Sequence, residues 1–208
     1  MKFFIGLLLV LSFLSSCTAK KEKLPILGRH EYLDTASGTD TIYHTIKPFA
    51  FLDQDSSLIT NKTFTGKIYV ADFFFTSCPS ICPIMKSQML RVYEKYLDDD
   101  RILFLSHTID PEYDNVEILH DYANRLGVKT NKWHFVTGDK AKIYDMAQTS
   151  YYVATRENKK APGGYEHSGA FLLIDSRDRI RGIYDGTKVE SVNKLISDIK
   201  VLLSETNS

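Results

Sequence analysis

The chain has 208 residues with 43% apolar content, enough for one domain with a sizeable core. Lysine plus arginine equals aspartate plus glutamate at 26 each, so no net field points to nucleic acid or an acidic substrate, and both are set aside as partners.

Met1-Lys2 is a minimal charged start, Phe3 to Leu14 is a short apolar run, and Leu14-Ser15-Ser16-Cys17 closes it with small residues and a cysteine. The run is shorter than a comfortable membrane span and suits the apolar region of a secretory signal. Its closing tetrapeptide resembles a bacterial lipoprotein signal, whose cysteine is acylated and becomes the new N-terminus. Residues 1–17 are therefore expected to be a lipoprotein signal peptide with Cys17 as the lipidation site. The rest is expected to work outside the cytoplasm, on the periplasmic side, anchored to the membrane by that lipid, where cysteines can be oxidised. Residues 18–47 are charged, with Lys20-Lys21-Glu22-Lys23 at their start and little periodicity. They are expected to form a flexible tether to a domain spanning 48–208.

From Pro48 onward the periodicity is regular. Phe49 to Leu52 and Lys67 to Phe75 read as strands, the second a near-continuous apolar run suited to a sheet centre. Directly after it come Cys78 and Cys82, in Thr76-Ser77-Cys78-Pro79-Ser80-Ile81-Cys82-Pro83. Proline is tolerated in the first helical turn, where its missing donor has no partner anyway. With Ser80 as N-cap, Cys82 takes the second helical position and Pro83 the third, where the positive end of the helix dipole favours a thiolate. Ile84 to Leu97 carries Met85, Met89, Val92, Tyr93 and Tyr96 at helical spacing, and Arg101 to Ser106 is a strand. Asp114, with Glu117 three residues on, resembles a capping box opening a helix that buries Val116, Leu119, Tyr122 and Leu126. Trp133 to Val136 is a short strand, and a helix from about Asp139 to Gln148 leads through Tyr151 to Thr155 into a loop over Arg156 to Tyr165. Gly169 to Asp175 and Arg179 to Tyr184 flank a turn and form a hairpin, and Val189 to Leu203 is an amphipathic helix. This order predicts a layered α/β domain with a mixed sheet, whose ligand sites gather at the carboxyl ends of strands. The Cys78 to Cys82 loop is at such an end.

Paired thiolates bind soft metals and also run disulfide chemistry, so the pair reads either as a metal site or as a redox dithiol. A neutral imidazole would complete a three-coordinate copper site. Of six histidines, His167 is the most suggestive, ending a glycine-rich loop, although a histidine at a strand start also fits a hydrogen-bonded structural role. His107 follows an apolar strand and reads first as packed or solvated. Met85 and Met89 read as core filling.

Phe75 to Pro83, Asp110-Pro111 with Asp114, Trp133, Thr137-Gly138, and His167-Ser168 with Leu172 to Asp175 together resemble the Sco (SenC) proteins in order and spacing. The resemblance covers roughly Phe49 to Leu203. It implies a thioredoxin-like fold with a central mixed β-sheet flanked by helices, and copper, as Cu(I) and Cu(II), held by Cys78, Cys82 and His167. It further implies a role in delivering copper, or preparing thiols, for the CuA centre of cytochrome c oxidase, with the copper domain of subunit II as partner, the membrane as anchor through lipid, and an upstream copper donor. Two positions depart from the family pattern: Ser80 stands where an acidic residue is common, and Glu166 where aspartate is usual. The rival reading is an extracytoplasmic thiol-disulfide oxidoreductase acting through Cys78 and Cys82, against which the pair is one residue wider than Cys-x-x-Cys. A thiol peroxidase is weaker, since Ala71 and Phe75 hold the places where such sites carry proline and threonine.

Overall fold

The computed structural model describes residues 23–206. In chain order the elements are β1 (Glu31–Thr35), β2 (Gly38–Ile42), β3 (Ala50–Asp53), β4 (Leu58–Thr60), β5 (Ile68–Phe74), α1 (Cys82–Lys95), β6 (Ile102–Thr108), α2 (Val116–Leu126), β7 (Trp133–Thr137), α3 (Lys140–Asp145), β8 (Thr155–Glu157), β9 (Tyr165–His167), β10 (Ala170–Ile174), β11 (Ile180–Asp185) and α4 (Val189–Thr206). A π-helical turn, Met146–Ser150, continues α3.

A seven-stranded mixed sheet in the order β11-β10-β5-β6-β7-β3-β4 carries the core. β5, β6 and β7 are parallel, and the strands outside them pair antiparallel. β5 and β6 are buried along their whole length, as strands covered on both faces must be, which is why β5 reads as a near-continuous apolar run broken only by Asp72 and β6 opens on four apolar residues. α1 lays Met85, Met89, Val92 and Tyr93 into the core, and α4 packs against it, with the Tyr96 hydroxyl donating to the Ile196 carbonyl at 2.7 Å.

Two inward-facing charges break this apolar layer. Asp72, inside β5, accepts from the Lys86 ammonium of α1 at 2.7 Å, and both are buried. Lys86 also donates to Ser106 Oγ at 3.1 Å and lies 4.1 Å from the centre of the Phe74 ring. Ser106 donates in turn to Asp72 and accepts from the Trp133 indole at 2.9 Å. Every charge and donor in this knot has a partner, the condition under which a buried ion pair is tolerated.

Three sequence expectations need correction. Residues 18–47 were expected as a tether, but from Lys23 onward the chain is attached. Leu24 N–H donates to Glu205, Leu27 pairs with Ile180, Ile46 is buried, and β1 and β2 form a hairpin. That hairpin is exposed on both faces, so it leaves no alternation for a sequence reading to find. Next, α1 begins one residue later than expected, with Ile81 at the cap, so that Cys82 and Pro83 occupy its first two positions. Finally, Asn115 caps α2 by accepting from Ile118 N–H at 3.0 Å, while Asp114 turns inward. There it accepts from Thr76 N–H at 3.0 Å and from the hydroxyls of Thr76 and Thr108, tying the start of the cysteine loop to the end of β6.

Candidate metal centre

β5 delivers the chain to the sheet's carboxyl edge, where Cys78 N–H donates back to the Phe75 carbonyl at 3.3 Å and the loop closes into α1. Both cysteines are free and nearly buried, Cys82 in the first turn of the helix and Cys78 in the loop before it. His167 reaches them from a separate piece of structure. Residues 156–165 are not all loop as expected, since β8 and β9 pair antiparallel and set His167 opposite Thr155. Gly163 makes this possible: its φ is +76°, and a Cβ there would lie 2.7 Å from the Phe75 ring, so only glycine lets the 158–164 loop fold down onto the cysteine loop.

The donor atoms of Cys78, Cys82 and His167 all lie within 4.8 Å of one another. Among the described residues this is the one trio of histidine, cysteine or acidic side chains so gathered. His167 Nδ1 donates to the Ser168 carbonyl at 3.2 Å, which leaves Nε2 as the lone pair facing Cys82 Sγ at 3.3 Å. A hydrogen bond on the far nitrogen is how proteins fix the tautomer of a ligating imidazole. Around them lies an open cleft of about 310 Å³, with Phe75, Ile81 and Tyr165 on its walls.

The two thiols are not equivalent. A hydrogen bond from Cys82 above all holds Cys78 at about 3 despite its burial. Its hydrogen bond to Cys78, followed by burial, pushes Cys82 well up from the ordinary thiol range. One proton is thus shared between two sulfurs, with Cys78 as the thiolate. In the reduced, metal-free protein, iodoacetamide at pH 5 should alkylate Cys78 and leave Cys82 untouched, as read by peptide mass spectrometry. Equal labelling of both would overturn the assignment.

The remaining sequence candidates fall away from this trio. His107 is fully buried among Phe49, Phe51, Phe73 and Tyr151 with both ring nitrogens unpaired, and burial pulls it down to about 3, so it sits neutral in the core. His120 and His134 bind Asp55 and Asp53, and His30 and His44 bond to backbone carbonyls. Met85 and Met89 are core residues. Ser80 Oγ stands 3.6 Å from Cys78 Sγ, and Glu166 is taken up by Arg156 and Asn158, so neither departure from the family pattern adds an acidic donor. Cys17 lies outside the described residues.

A family model described as SCO1/SenC matches residues 37–204. Among solved structures, a SCO1/SenC family lipoprotein from Bacillus anthracis is 26% identical with a TM-score of 0.71, covering 77% of this chain and 95% of that one. BsSco, described as a member of the Sco family of cytochrome c oxidase assembly proteins with a disulfide switch, is 26% identical with a TM-score of 0.67, over 76% and 93% of the two chains. Arabidopsis thaliana ScoI with copper bound, at 24% identity and a TM-score of 0.62 over 74% and 97%, shares the fold. The thioredoxin-like, mixed-sheet architecture expected from the sequence stands on these likenesses and on the observed strand order.

Proposed function

Because the chain belongs to the SCO1/SenC family, whose members include assembly factors for cytochrome c oxidase, we propose that it is a copper-binding metallochaperone for the CuA centre of subunit II. The observation that carries this reading is the donor set: two sulfurs and one correctly presented imidazole nitrogen within 4.8 Å, on the carboxyl edge of the sheet. Thiolates select Cu(I), and an imidazole beside them also suits Cu(II). A copper-bound relative of the same fold supports it. Copper here is cargo. Loading requires Cys82 to give up its proton, and release requires a partner's ligands to replace these three.

The second reading, a thiol-disulfide oxidoreductase that reduces the CuA-site cysteines, draws on the Cys78 thiolate beside a protonated Cys82 and on the disulfide switch of BsSco. In such a reaction the Cys78 thiolate attacks a target disulfide and releases its first sulfur, which takes up the Cys82 proton; the Cys82 thiolate then attacks Cys78 Sγ of the mixed disulfide, so that the Cys78–Cys82 bond forms and the second target sulfur leaves. We further propose that lipid at Cys17 anchors the domain on the periplasmic side, a reading supported by the N-terminal sequence and by the lipoprotein relative.

Complementation separates the two readings. Deleting the gene should lower CuA-oxidase activity, with partial rescue by added copper, and His167→Ala should fail to complement at low copper. Full complementation by His167→Ala, with failure of Cys78→Ser, would favour the oxidoreductase, because disulfide exchange does not need the histidine.

A further inference from the structure

The sheet gives the domain two ends. β5 runs from Ile68 to Phe74 into the cysteine loop, and β10 pairs antiparallel with it, so that Ile174 lies beside Tyr69. The 175–179 turn therefore sits at the start of β5, and seven strand residues at about 3.3 Å each place it roughly 20 Å from the metal centre. The chain enters at this same far end. Leu24 N–H donates to Glu205 at 2.7 Å, the Arg181 guanidinium holds the carbonyls of Leu24 and Pro25 at 2.6 and 2.9 Å, and Leu27 N–H donates to Ile180 at 2.8 Å.

A cavity of about 810 Å³ opens here, lined by Lys23, Arg177, Arg179 and Arg181 as well as Asp175 and Glu205. The two acids are already engaged: Arg179 holds Asp175 at 2.7 Å, and Arg181 holds Glu205 at 2.7 Å. Lys23 and Arg177 are left exposed, with no acidic partner among the described residues, and Lys20 and Lys21 stand just before Lys23 in the sequence, with Glu22 between. The Arg179 guanidinium lies 5.9 Å from the ring centre of Tyr43, which brings the base of the β1–β2 hairpin to the same place. That hairpin and the residue after it leave Tyr32, Leu33, Ile42 and Tyr43 exposed, alongside the exposed acids Glu31, Asp34 and Asp40, though a two-stranded hairpin standing alone is marginal in water. Exposed tyrosines settle at a membrane interface, beside lysines and arginines that meet lipid phosphates.

We propose that this end is a docking face for an anionic phospholipid surface, with Lys23 and Arg177 meeting headgroup phosphates and the metal centre facing away from the membrane. The proposal rests on the anchor reading at Cys17. The six residues from Thr18 to Lys23 span at most about 20 Å even when fully extended, so a lipid at Cys17 keeps this end against the bilayer.

The test uses the processed full chain, its N-terminal peptide checked for lipid by mass spectrometry, in vesicles of phosphatidylcholine alone or mixed with phosphatidylglycerol. Hydrogen exchange should slow at residues 23–27, 31–43 and 175–180 on the anionic vesicles only, reverse with salt, and leave residues 76–82 unchanged. Lys23→Gln with Arg177→Gln should weaken docking about 30-fold, at about 1 kcal/mol per cation, with copper stoichiometry intact. Equal exchange on both vesicles, or equal protection by inorganic phosphate without vesicles, would overturn the proposal. If the N-terminal peptide carries no lipid, the anchor reading falls, and the docking face is then judged by the same exchange pattern with vesicles added from outside.

Discussion

Cys82→Ser is expected to reduce copper uptake by the domain from stoichiometric to undetectable, and oxidation of the Cys78–Cys82 pair to do the same without any change of sequence. Both remove sulfur from a site built around it. A hydroxyl is a hard donor that does not replace a thiolate for Cu(I), and a disulfide has no thiolate to offer. His167→Ala should behave differently. Two sulfurs still satisfy Cu(I) in a linear arrangement, so Cu(I) uptake survives, while Cu(II), which favours imidazole nitrogen, is lost. Metal analysis with X-ray absorption on each loaded variant checks this: wild type should show mixed sulfur and nitrogen ligation, and His167→Ala sulfur alone. If the oxidised domain takes up copper at the wild-type stoichiometry, the dithiol is not the site.

The second large effect concerns stability. Asp72→Ala should cost about 3–5 kcal/mol, because it strands the Lys86 ammonium in the core with only the Ser106 hydroxyl and the Phe74 ring for company. That is a large share of a domain's usual margin of about 5–15 kcal/mol. Asp72→Asn combined with Lys86→Met removes both charges and should recover most of the loss, since an uncharged replacement of similar volume escapes the desolvation penalty. Equilibrium urea unfolding, followed through Trp133 at the edge of the same knot, reads both results. An Asp72→Ala domain within about 1 kcal/mol of wild type would mean that water reaches Lys86 and that the pair contributes little.

The same pair shows what the sequence does and does not reveal. Cys82, Met85, Lys86, Met89 and Tyr93 all fall on one helical stripe, and Asp72 interrupts an otherwise apolar strand, so two charges at core positions were visible as an inconsistency. Periodicity alone does not say that they meet. β5, β6, the β10–β11 hairpin and α4 were legible because long buried strands and an amphipathic helix leave strong patterns. β4 and the β8–β9 pair were not, since three residues carry no period. Cys78 and Cys82 could be placed by spacing, because they bracket one loop. His167 could not: 85 positions separate it from Cys82, and the contact depends on Gly163 lying flat on Phe75, a packing fact that no local pattern encodes.

The three donors also stand on unequal footings. Cys82 is built into a helix that the core grips through Met85, Met89 and Val92, and Cys78 hangs one turn ahead of it, in a loop stitched to Asp114 through Thr76. His167 sits at the end of a strand of three residues, paired only with another of three, outside the main sheet. Moving it breaks few bonds, whereas moving either sulfur disturbs the core. Of the three donors, the imidazole is therefore the one whose departure would disturb the fold least.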